Sequence, residues 1–367
     1  MEGPVNKILV LPLYGIGDVL MTTPAIRNLK EKLDCEITYL HMFKTTHDIL
    51  LNNPFIEENI FFPFLTSSKL EGVRFLLQFR GKFDCSINFY PSNRRDYNLA
   101  AFVVGSRVRI GHRYVLSDLS ELNFLKNKTV KEDDRLHNVE ENLRLLAFLD
   151  IRKSIPYPLK IYLTDEDTLS SERWLDDRAI GRGKLLVGLH PGTSVFKGHD
   201  RRRWSEASFG ALIDRLSSGV KDSVFLLFGG PEEKELRKAV MSSVRNAKVV
   251  LPVEAVSVRQ ASSLMTKCRL FISNDSGPMH MAAAAQVPTV AIFGPTNPAW
   301  VRPWGVPHRV VRTCISCSPC FRYSPKPLAC GSGRDFACLQ EISVEQVYSA
   351  CAELMGEERQ FLYANHP

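Results

Sequence analysis

The sequence predicts an α/β protein that contains two doubly wound parallel sheets. Short apolar runs alternate with helical patterns along the chain, which is the order of elements that βαβ units require. With 367 residues, 44% of them hydrophobic, the chain is long enough to bury two cores. Pro156 and Pro158 interrupt the pattern, which then ends on a charged run, so we predict a linker at residues 151–167 and domains at residues 1–160 and 161–367.

Strands are predicted where a short apolar run ends in turn-forming residues, and helices where apolar residues recur at helical spacing. The first half is predicted to have strands at residues 7–13, 36–40, 59–62, 85–89 and 105–110, and helices at residues 19–33, 70–79 and 139–149. The second half is predicted to have strands at residues 185–190, 224–228, 247–251, 270–273 and 289–293, with helices at residues 205–216, after residue 230 and between the last two strands. Because of Pro24, either the first helix is kinked or its regular part begins there. Apolar side chains surround most of residues 70–79, which favours a buried helix over one at a membrane surface.

A glycine-containing turn at residues 14–18 follows the first strand, at the sheet edge where such folds bind ligands. Gly15 and Gly17 allow a sharp turn, but Leu20 stands where the dinucleotide fingerprint needs a third glycine, so no nicotinamide cofactor is expected. Asp18 stands at the entry to the next helix. Its carboxylate is either a helix cap or a catalytic group aimed into a cleft by the glycine loop.

A polar loop with Asn93, Arg94 and Arg95 follows the strand predicted at residues 85–89, at the same kind of edge. These side chains either bind a phosphorylated acceptor or belong to a solvated surface loop.

The helix predicted between the last two strands has a clear start. Asp275, Ser276 and Gly277 are suited to cap it, and Pro278 suits its first position. Its N-terminus would bind a diphosphate through backbone N–H groups and the helix dipole, with the Ser276 hydroxyl and the His280 imidazole as further donors. The alternative is an ordinary, well-capped βαβ crossover.

The formal net charge is +7, with arginine clusters in both halves. This charge suits an anionic substrate or an anionic membrane surface, whereas no nucleic-acid partner is expected because no zinc-finger, ribonucleoprotein or basic-helix motif is present. The early apolar run is too short for a signal peptide, and no stretch is long enough to span a bilayer, so we expect a cytoplasmic protein. Its nine cysteines are therefore expected to be mostly reduced.

Five of those cysteines form the spacing C-x2-C-x2-C-x9-C-x7-C over residues 314–338. Tetrahedral zinc bound by Cys317, Cys320, Cys330 and Cys338 is one interpretation, and reduced or partly paired thiols are the other.

Four motifs occur in order along the chain: G-x-G-D-V-L-x-x-T-P-A, H-P-G-T, F-G-G-P-E-E and N-D-S-G-P-x-H. Together they resemble the heptosyltransferase family of bacterial lipopolysaccharide assembly, glycosyltransferase family nine. The resemblance implies a GT-B architecture, in which two Rossmann-like domains face each other across a cleft. It also implies an inverting, metal-independent transfer from ADP-heptose or a similar nucleotide sugar to a lipid-linked glycan, without a cofactor.

The same resemblance assigns roles to single residues. Asp18 would be the general base. The donor would be bound by residues of the second domain: Thr193, Lys197, Arg202, Glu232, Glu233, Asp275, Ser276, Gly277 and His280. The acceptor would be bound by residues of the first domain: Gly17, Asn93, Arg94 and Arg95. Residues 196–204 are longer and more basic than the family pattern, which leaves open whether Lys197, Arg202 or Arg203 meets the phosphates.

Two alternatives to heptose transfer to a lipopolysaccharide core stay open at this point. The same fold would serve transfer of another sugar in O-antigen or capsule assembly, and a nucleotide-sugar-binding protein without turnover would keep the same motifs. An acceptor anchored in lipid would bring the protein into peripheral contact with the inner membrane leaflet, assisted by the basic clusters.

Overall fold

The computed structural model describes residues 3–13, 15–92, 94–114, 118–181, 183–255, 257–323 and 327–364. The chain divides into two compact units, with the boundary between Tyr162 and Leu163. Each unit contains one six-stranded sheet, and every strand pairing within the two sheets is parallel. No helix in these ranges is long and apolar enough to cross a membrane.

The first unit is built on the strand order β3-β2-β1-β4-β5-β6. Its strands are β1 (Lys7–Val10), β2 (Glu36–His41), β3 (Glu58–Phe61), β4 (Cys85–Ile87), β5 (Val108–Arg113) and β6 (Lys128–Lys131). Its helices are α1 (Ile16–Leu20), α2 (Thr23–Lys32), α3 (Lys44–Ile49), α4 (Lys69–Leu77), α5 (Arg95–Val104) and α6 (Asn138–Arg144), with 3-10 turns at Asn123–Leu125 and Leu145–Leu149. The strand order reverses between β1 and β4, which is the position where open α/β sheets bind ligands.

The second unit has the order β12-β11-β10-β7-β8-β9, so its reversal lies between β7 and β10. Its strands are β7 (Leu185–His190), β8 (Ser223–Leu227), β9 (Val250–Pro252), β10 (Leu270–Asn274), β11 (Thr289–Ile292) and β12 (His308–Val311). Its helices are α7 (Asp165–Asp176), α8 (Glu206–Gly219), α9 (Lys234–Ser242), α10 (Val258–Thr266), α11 (Gly277–Ala284), α12 (Pro298–Val301), α13 (Ala337–Gln340) and α14 (Val344–Ala364). 3-10 segments lie at Phe196–Arg202, Pro231–Glu233 and Ala247–Val249.

The predicted fold class is confirmed, and the central strands lie close to where their apolar runs indicated. Ile8, Leu9 and Val10 of β1, for example, are completely buried. The sequence prediction gave no helix at α3, α5, α7, α10 or α12–α14, and it missed the edge strands β6 and β12. Both strands combine basic residues with valines, and all their residues except Val311 are at least partly exposed, because an edge strand is covered less than a central one and needs no continuous apolar run.

Several boundaries differ from the prediction; the strand expected at residues 247–251, for example, begins at Val250 after a 3-10 turn. Two of the differences have a clear local reason. The helix expected at residues 19–33 consists of α1 and α2, with Pro24 in the first turn of α2, so the regular helix begins at the proline. The acidic run at residues 165–167, predicted to end the linker, is the first turn of α7. Thr164 and Asp167 form a capping box there, and acidic side chains favour the positive end of the helix dipole.

Helix α4 was predicted to be buried, and this prediction is wrong. Of its residues only Leu76 is buried, where it packs with Leu9 and Leu40 of the sheet. Leu70, Val73 and Leu77 are between 41% and 59% exposed. A helix with apolar residues on every side is buried only when neighbouring elements cover all of those sides. Helix α4 is covered only on the side that faces the sheet.

Candidate functional site

Asn274 organises the reversal point of the second sheet, where β7 and β10 end side by side. It is the last residue of β10 and is completely buried. Its side-chain oxygen accepts a hydrogen bond from the backbone N–H of Trp204 at 3.0 Å, and its amide nitrogen donates to the Pro191 carbonyl at 2.6 Å. One buried side chain therefore holds both ends of the loop at residues 191–204 against the sheet.

His190, the last residue of β7, links two of the predicted donor-binding segments. Its imidazole is 3% exposed and lies between the Ser276 hydroxyl, 3.0 Å from Nδ1, and the Glu233 carboxylate, 3.1 Å from Nε2. The imidazole thereby fixes the start of α11 relative to the turn before α9.

Of the two adjacent glutamates predicted at the donor site, the structure buries Glu233 and leaves Glu232 exposed. Burial favours a higher pKa for Glu233. The hydrogen bond with His190, the backbone N–H of Gly230 and the nearby Arg203 guanidinium outweigh it and hold the pKa below its usual range. The Glu233 carboxylate is therefore ionised at neutral pH.

The Glu233 carboxylate packs against Gly192 and Gly229, which leave room for it because glycine has no side chain. A Cβ added at Gly192 would lie 1.7 Å from Glu233 Oε1, and one at Gly229 would lie 3.0 Å from Oε2. Gly192→Ala is therefore expected to push the carboxylate away from His190 and to lower the free energy of unfolding by about 1 to 3 kcal/mol. Chemical denaturation measures this loss.

Gly181→Ala is the matched control for Gly192→Ala. A Cβ at Gly181 meets nothing within 4 Å, so this variant should unfold at the denaturant concentration of the wild type. Equal stability of the two variants would contradict the tight fit around Glu233.

Arg202 is the basic residue of its segment that reaches the loop before α11. Its Nη1 donates to Asp275 Oδ2 at 2.7 Å and to the Thr296 hydroxyl at 3.1 Å. The two ion-paired side chains are only 12% and 10% exposed. Arg202 Nε is buried and has no hydrogen-bond partner among the described residues, so it is a donor that a ligand could satisfy.

The other candidates of this segment are arranged differently. Arg203 donates to the Thr193 carbonyl at 2.8 Å and lies 4.0 Å from Glu233. Its buried Nε, like that of Arg202, has no hydrogen-bond partner among the described residues. The buried Thr193 hydroxyl donates to the His199 carbonyl at 2.8 Å and holds the 3-10 segment in place. Lys197 belongs to that segment, and its side chain lies outside what the structure describes.

Helix α11 begins at Gly277, with Ser276 as its N-cap and Pro278 in its first turn. The Ser276 hydroxyl makes no cap hydrogen bond to the helix, because it pairs with His190. Residues 282–284 are alanines, each at most 1% exposed, which lets the helix lie close to β10 and β11 as expected.

His280 lies on α11, 4% exposed. Burial lowers its pKa to about 4, against an opposing effect of Asp275. The imidazole is therefore neutral at neutral pH. Within the described part of the chain, His280 Nδ1 has no hydrogen-bond partner.

Asp18 lies at the corresponding reversal point of the first sheet. It is half-buried in α1, and its Oδ2 accepts the backbone N–H of Gly15 at 3.2 Å. The carboxylate therefore supports the start of the helix from within its first turn and is not the N-cap residue itself. The adjacent Gly17 is buried.

The loop after β4 lies at the same edge and is tied to the Asp18 segment. Asn142 accepts a hydrogen bond from the Tyr90 backbone N–H at 2.7 Å and donates to the Met21 carbonyl at 3.1 Å. Arg94 is the N-cap residue of α5, and Arg95 is exposed, with its backbone N–H bound to Glu121 at 2.6 Å. Asn93 lies outside the described residues.

The cysteine-rich segment reaches the residues around Arg202. The backbone N–H groups of Cys320 and Phe321 both donate to the Pro295 carbonyl at 2.9 Å, and the Arg202 guanidinium lies 5.4 Å from the Phe321 ring centroid. Aromatic contact of this kind holds a guanidinium in place. The segment therefore helps to position Arg202.

The four candidate zinc ligands lie near one another. Burial raises the pKa of Cys338 to about 11, and the neighbouring thiols of Cys320, Cys317 and Cys330 contribute to the rise. Every cysteine is a free thiol, and across the described ranges no three histidine, cysteine or acidic side chains are arranged to hold a metal ion. Zinc binding stays a prediction of the sequence.

The sequence reasoning missed several residues that shape this site. His190 was visible only as the first letter of the H-P-G-T motif and Asn274 only as the first letter of N-D-S-G-P-x-H, and Thr296 lies outside the four motifs. Their position directly after apolar strands was the available signal, since the carboxyl ends of parallel strands meet at one edge.

Two solved structures share this fold. One is a family 9 glycosyltransferase from Veillonella parvula, with a TM-score of 0.77 and 23% identity over 97% of this chain and 99% of that one. The other is the ADP-heptose lps heptosyltransferase II of E. coli, with a TM-score of 0.73 and 19% identity over 96% and 99% of the two chains. The two doubly wound sheets, each with polar groups at its reversal point, thus have the GT-B fold.

The chain belongs to glycosyltransferase family 9 (heptosyltransferase), whose model matches residues 96–328. It is 28% identical to the lipooligosaccharide heptosyltransferase 2 of Campylobacter jejuni, over 95% of this chain and 98% of that one. It is 27% identical to an Escherichia coli lipopolysaccharide heptosyltransferase 3, over 78% and 83% of the two chains. The family expected from the four motifs is confirmed.

Proposed function

We propose that this enzyme transfers a heptose or closely related sugar from a nucleotide diphosphate donor such as ADP-heptose to the core of a lipopolysaccharide or lipooligosaccharide. A hydroxyl of the acceptor attacks the anomeric carbon, the bond to the diphosphate breaks, and the configuration at that carbon inverts. The similarity to a Campylobacter jejuni heptosyltransferase over 95% of this chain, and to an Escherichia coli heptosyltransferase over 78% of it, supports the choice of sugar.

The observation that carries the proposal is the set of buried polar groups at the β7/β10 reversal point. Arg202 Nε and His280 Nδ1 are buried without partners among the described residues, and an unsatisfied buried donor costs free energy that a ligand would recover. Helix α11 begins at Gly277, directly after the Asp275–Ser276 segment that Arg202 contacts, and it contains His280. The N-terminus of this helix favours an anion. We assign the diphosphate of the donor to this place.

The leaving diphosphate needs positive charge as the glycosidic bond breaks. Arg202 supplies a full charge, α11 supplies its dipole, and the neutral His280 contributes a hydrogen bond. The proposal therefore uses this chain's own groups and requires no metal ion.

The attacking hydroxyl needs a base, and we assign this role to Asp18. Its carboxylate is half-buried at the β1/β4 reversal point, the equivalent position of the first sheet. The helix N-terminus makes a carboxylate a weak base, but a weak base suffices when the proton moves late in the reaction. Gly17 precedes Asp18, and Arg94 and Arg95 follow β4 at the same sheet edge. With Asn93, we assign them to the acceptor.

The acceptor of such a reaction carries a lipid anchor, so we assign the protein to the cytoplasmic face of the inner membrane, in peripheral contact with its leaflet. The net charge of +7 is favourable for approach to an anionic surface.

Calorimetric titration with a panel of nucleotides and nucleotide sugars, first without metal and then with Mg²⁺, tests the donor assignment. ADP and ADP-heptose are expected to bind without metal, and His280→Ala is expected to weaken this binding about tenfold, because it removes one hydrogen bond to a charged group.

His308→Ala is the control, since His308 lies on the edge strand β12 and is only half-buried. It should bind the donor like the wild type, and denaturation of both variants checks that they fold. A preference for UDP or GDP sugars would overturn the heptose assignment, and no nucleotide binding would overturn the proposed reaction.

A further inference from the structure

Helix α4 and the turn before it expose apolar side chains to solvent. Leu65 is 52% exposed, Leu70 59%, Val73 41% and Leu77 46%. Leu70, Val73 and Leu77 follow one another at intervals of three and four residues, so they form a stripe along one side of the helix. Leu76, on another side, anchors the helix to the sheet.

Basic side chains border this stripe. At about 100° of rotation per residue, Lys69 and Arg74 lie on opposite sides of the stripe, and both are exposed. Arg80 and Lys82 are exposed just beyond the helix, and the only acidic residue between residues 69 and 82 is Glu71. The combination of an apolar stripe with flanking cations on long side chains is typical of helices that lie in a lipid headgroup region.

The position of α4 in the unit is also favourable. Helix α4 follows β3, so its first turn and Leu65 lie at the carboxyl edge of the first sheet. The Asp18 segment follows β1 and lies at that same edge. A surface docked through the beginning of α4 would therefore lie at the edge to which we assign the acceptor.

We propose that Leu65, Leu70, Val73 and Leu77, with Lys69 and Arg74, form the surface by which this enzyme docks on an anionic bilayer. The inference rests on the proposed function in one respect, because a lipid-anchored acceptor gives the protein a reason to bind membrane. The apolar side chains enter the headgroup region, and the basic side chains pair with lipid phosphates.

The charges favour a bilayer over a second copy of the chain. A symmetric contact through the stripe would bring Lys69, Arg74, Arg80 and Lys82 of both copies together, and like charges at an interface oppose association. Anionic lipid neutralises them.

Sedimentation with vesicles, without donor or acceptor, tests the proposal. Wild-type protein is expected to bind vesicles of phosphatidylethanolamine with phosphatidylglycerol and to bind phosphatidylcholine vesicles weakly. The double variant Leu70→Gln/Leu77→Gln should lose about tenfold or more in affinity. Lys69→Glu/Arg74→Glu should lose a similar factor on the anionic vesicles only.

The matched control is Ile155→Gln/Leu169→Gln, which changes two side chains that are 43% and 48% exposed elsewhere. It should bind like the wild type. Equal binding by wild type and Leu70→Gln/Leu77→Gln, an equal loss in the control, or a wild type that does not bind anionic vesicles would overturn the proposal.

Sugar transfer to a detergent-free, delipidated acceptor separates this inference from the proposed function. Leu70→Gln/Leu77→Gln should keep the wild-type rate on that acceptor. A protein that transfers sugar but does not bind vesicles overturns only the docking surface, whereas a protein that binds vesicles through α4 without transferring sugar overturns only the proposed reaction.

Discussion

Replacing Asp18 with Asn is expected to slow sugar transfer about a hundredfold or more while donor affinity stays at its wild-type value. A positioned general base contributes a factor of this size, and an amide cannot take the proton of the attacking hydroxyl. The Asn oxygen can still accept the backbone N–H of Gly15, so α1 should keep its start. Initial rates at saturating donor, together with calorimetric donor binding, measure the two quantities.

Asp34→Asn is the control for Asp18→Asn, because Asp34 is an exposed carboxylate in the loop before β2. It should leave the transfer rate unchanged. An Asp18→Asn protein with a wild-type rate would show that Asp18 only supports the helix, and one that loses donor binding would place Asp18 at the donor instead.

Replacing Arg202 with Met is expected to lower both stability and donor affinity. The substitution leaves Asp275 as a nearly buried carboxylate without its cation, which costs about 3 kcal/mol of the free energy of unfolding. It also removes the charge that we assign to the diphosphate, so donor affinity should fall by about a hundredfold. Chemical denaturation and calorimetry measure the two losses separately.

The double variant Arg202→Met/Asp275→Asn distinguishes these two effects. Removing both charges should restore most of the lost stability, because no buried charge is then unpaired. Donor affinity should stay low, because the cation is still missing. Recovery of donor binding in the double variant would mean that Arg202 acts only as the partner of Asp275.

The sequence predicted the central strands and the start of α11 because the signals for these elements are short-range. The start of α11 follows from cap residues, a proline and small alanines within ten residues, and the central strands follow from uninterrupted apolar runs. Edge strands and α4 depend on what covers them, which is decided by distant segments. Local patterns therefore missed β6 and β12 and gave the wrong burial for α4.

The candidate site likewise has a part that the sequence predicts and a part that depends on contacts between distant segments. Sequence motifs identified Arg202, Glu233 and Asp275 as candidates, but their partners come from far along the chain. His190 and Glu233 are 43 residues apart, and Arg202 and Asp275 are 73 apart. Which of two adjacent glutamates is buried, and which of three basic residues reaches Asp275, depends on packing that no local spacing encodes.

The contrast between Glu233 and Glu232 bears on how this enzyme could change its substrate. The Glu233 side chain is hydrogen-bonded to His190 and packs against Gly192, so a substitution at position 233 requires compensating changes at both. Position 232 is exposed, and substitution there disturbs no buried group. Natural drift or directed evolution towards another nucleotide sugar therefore has an adaptable position directly beside a constrained one.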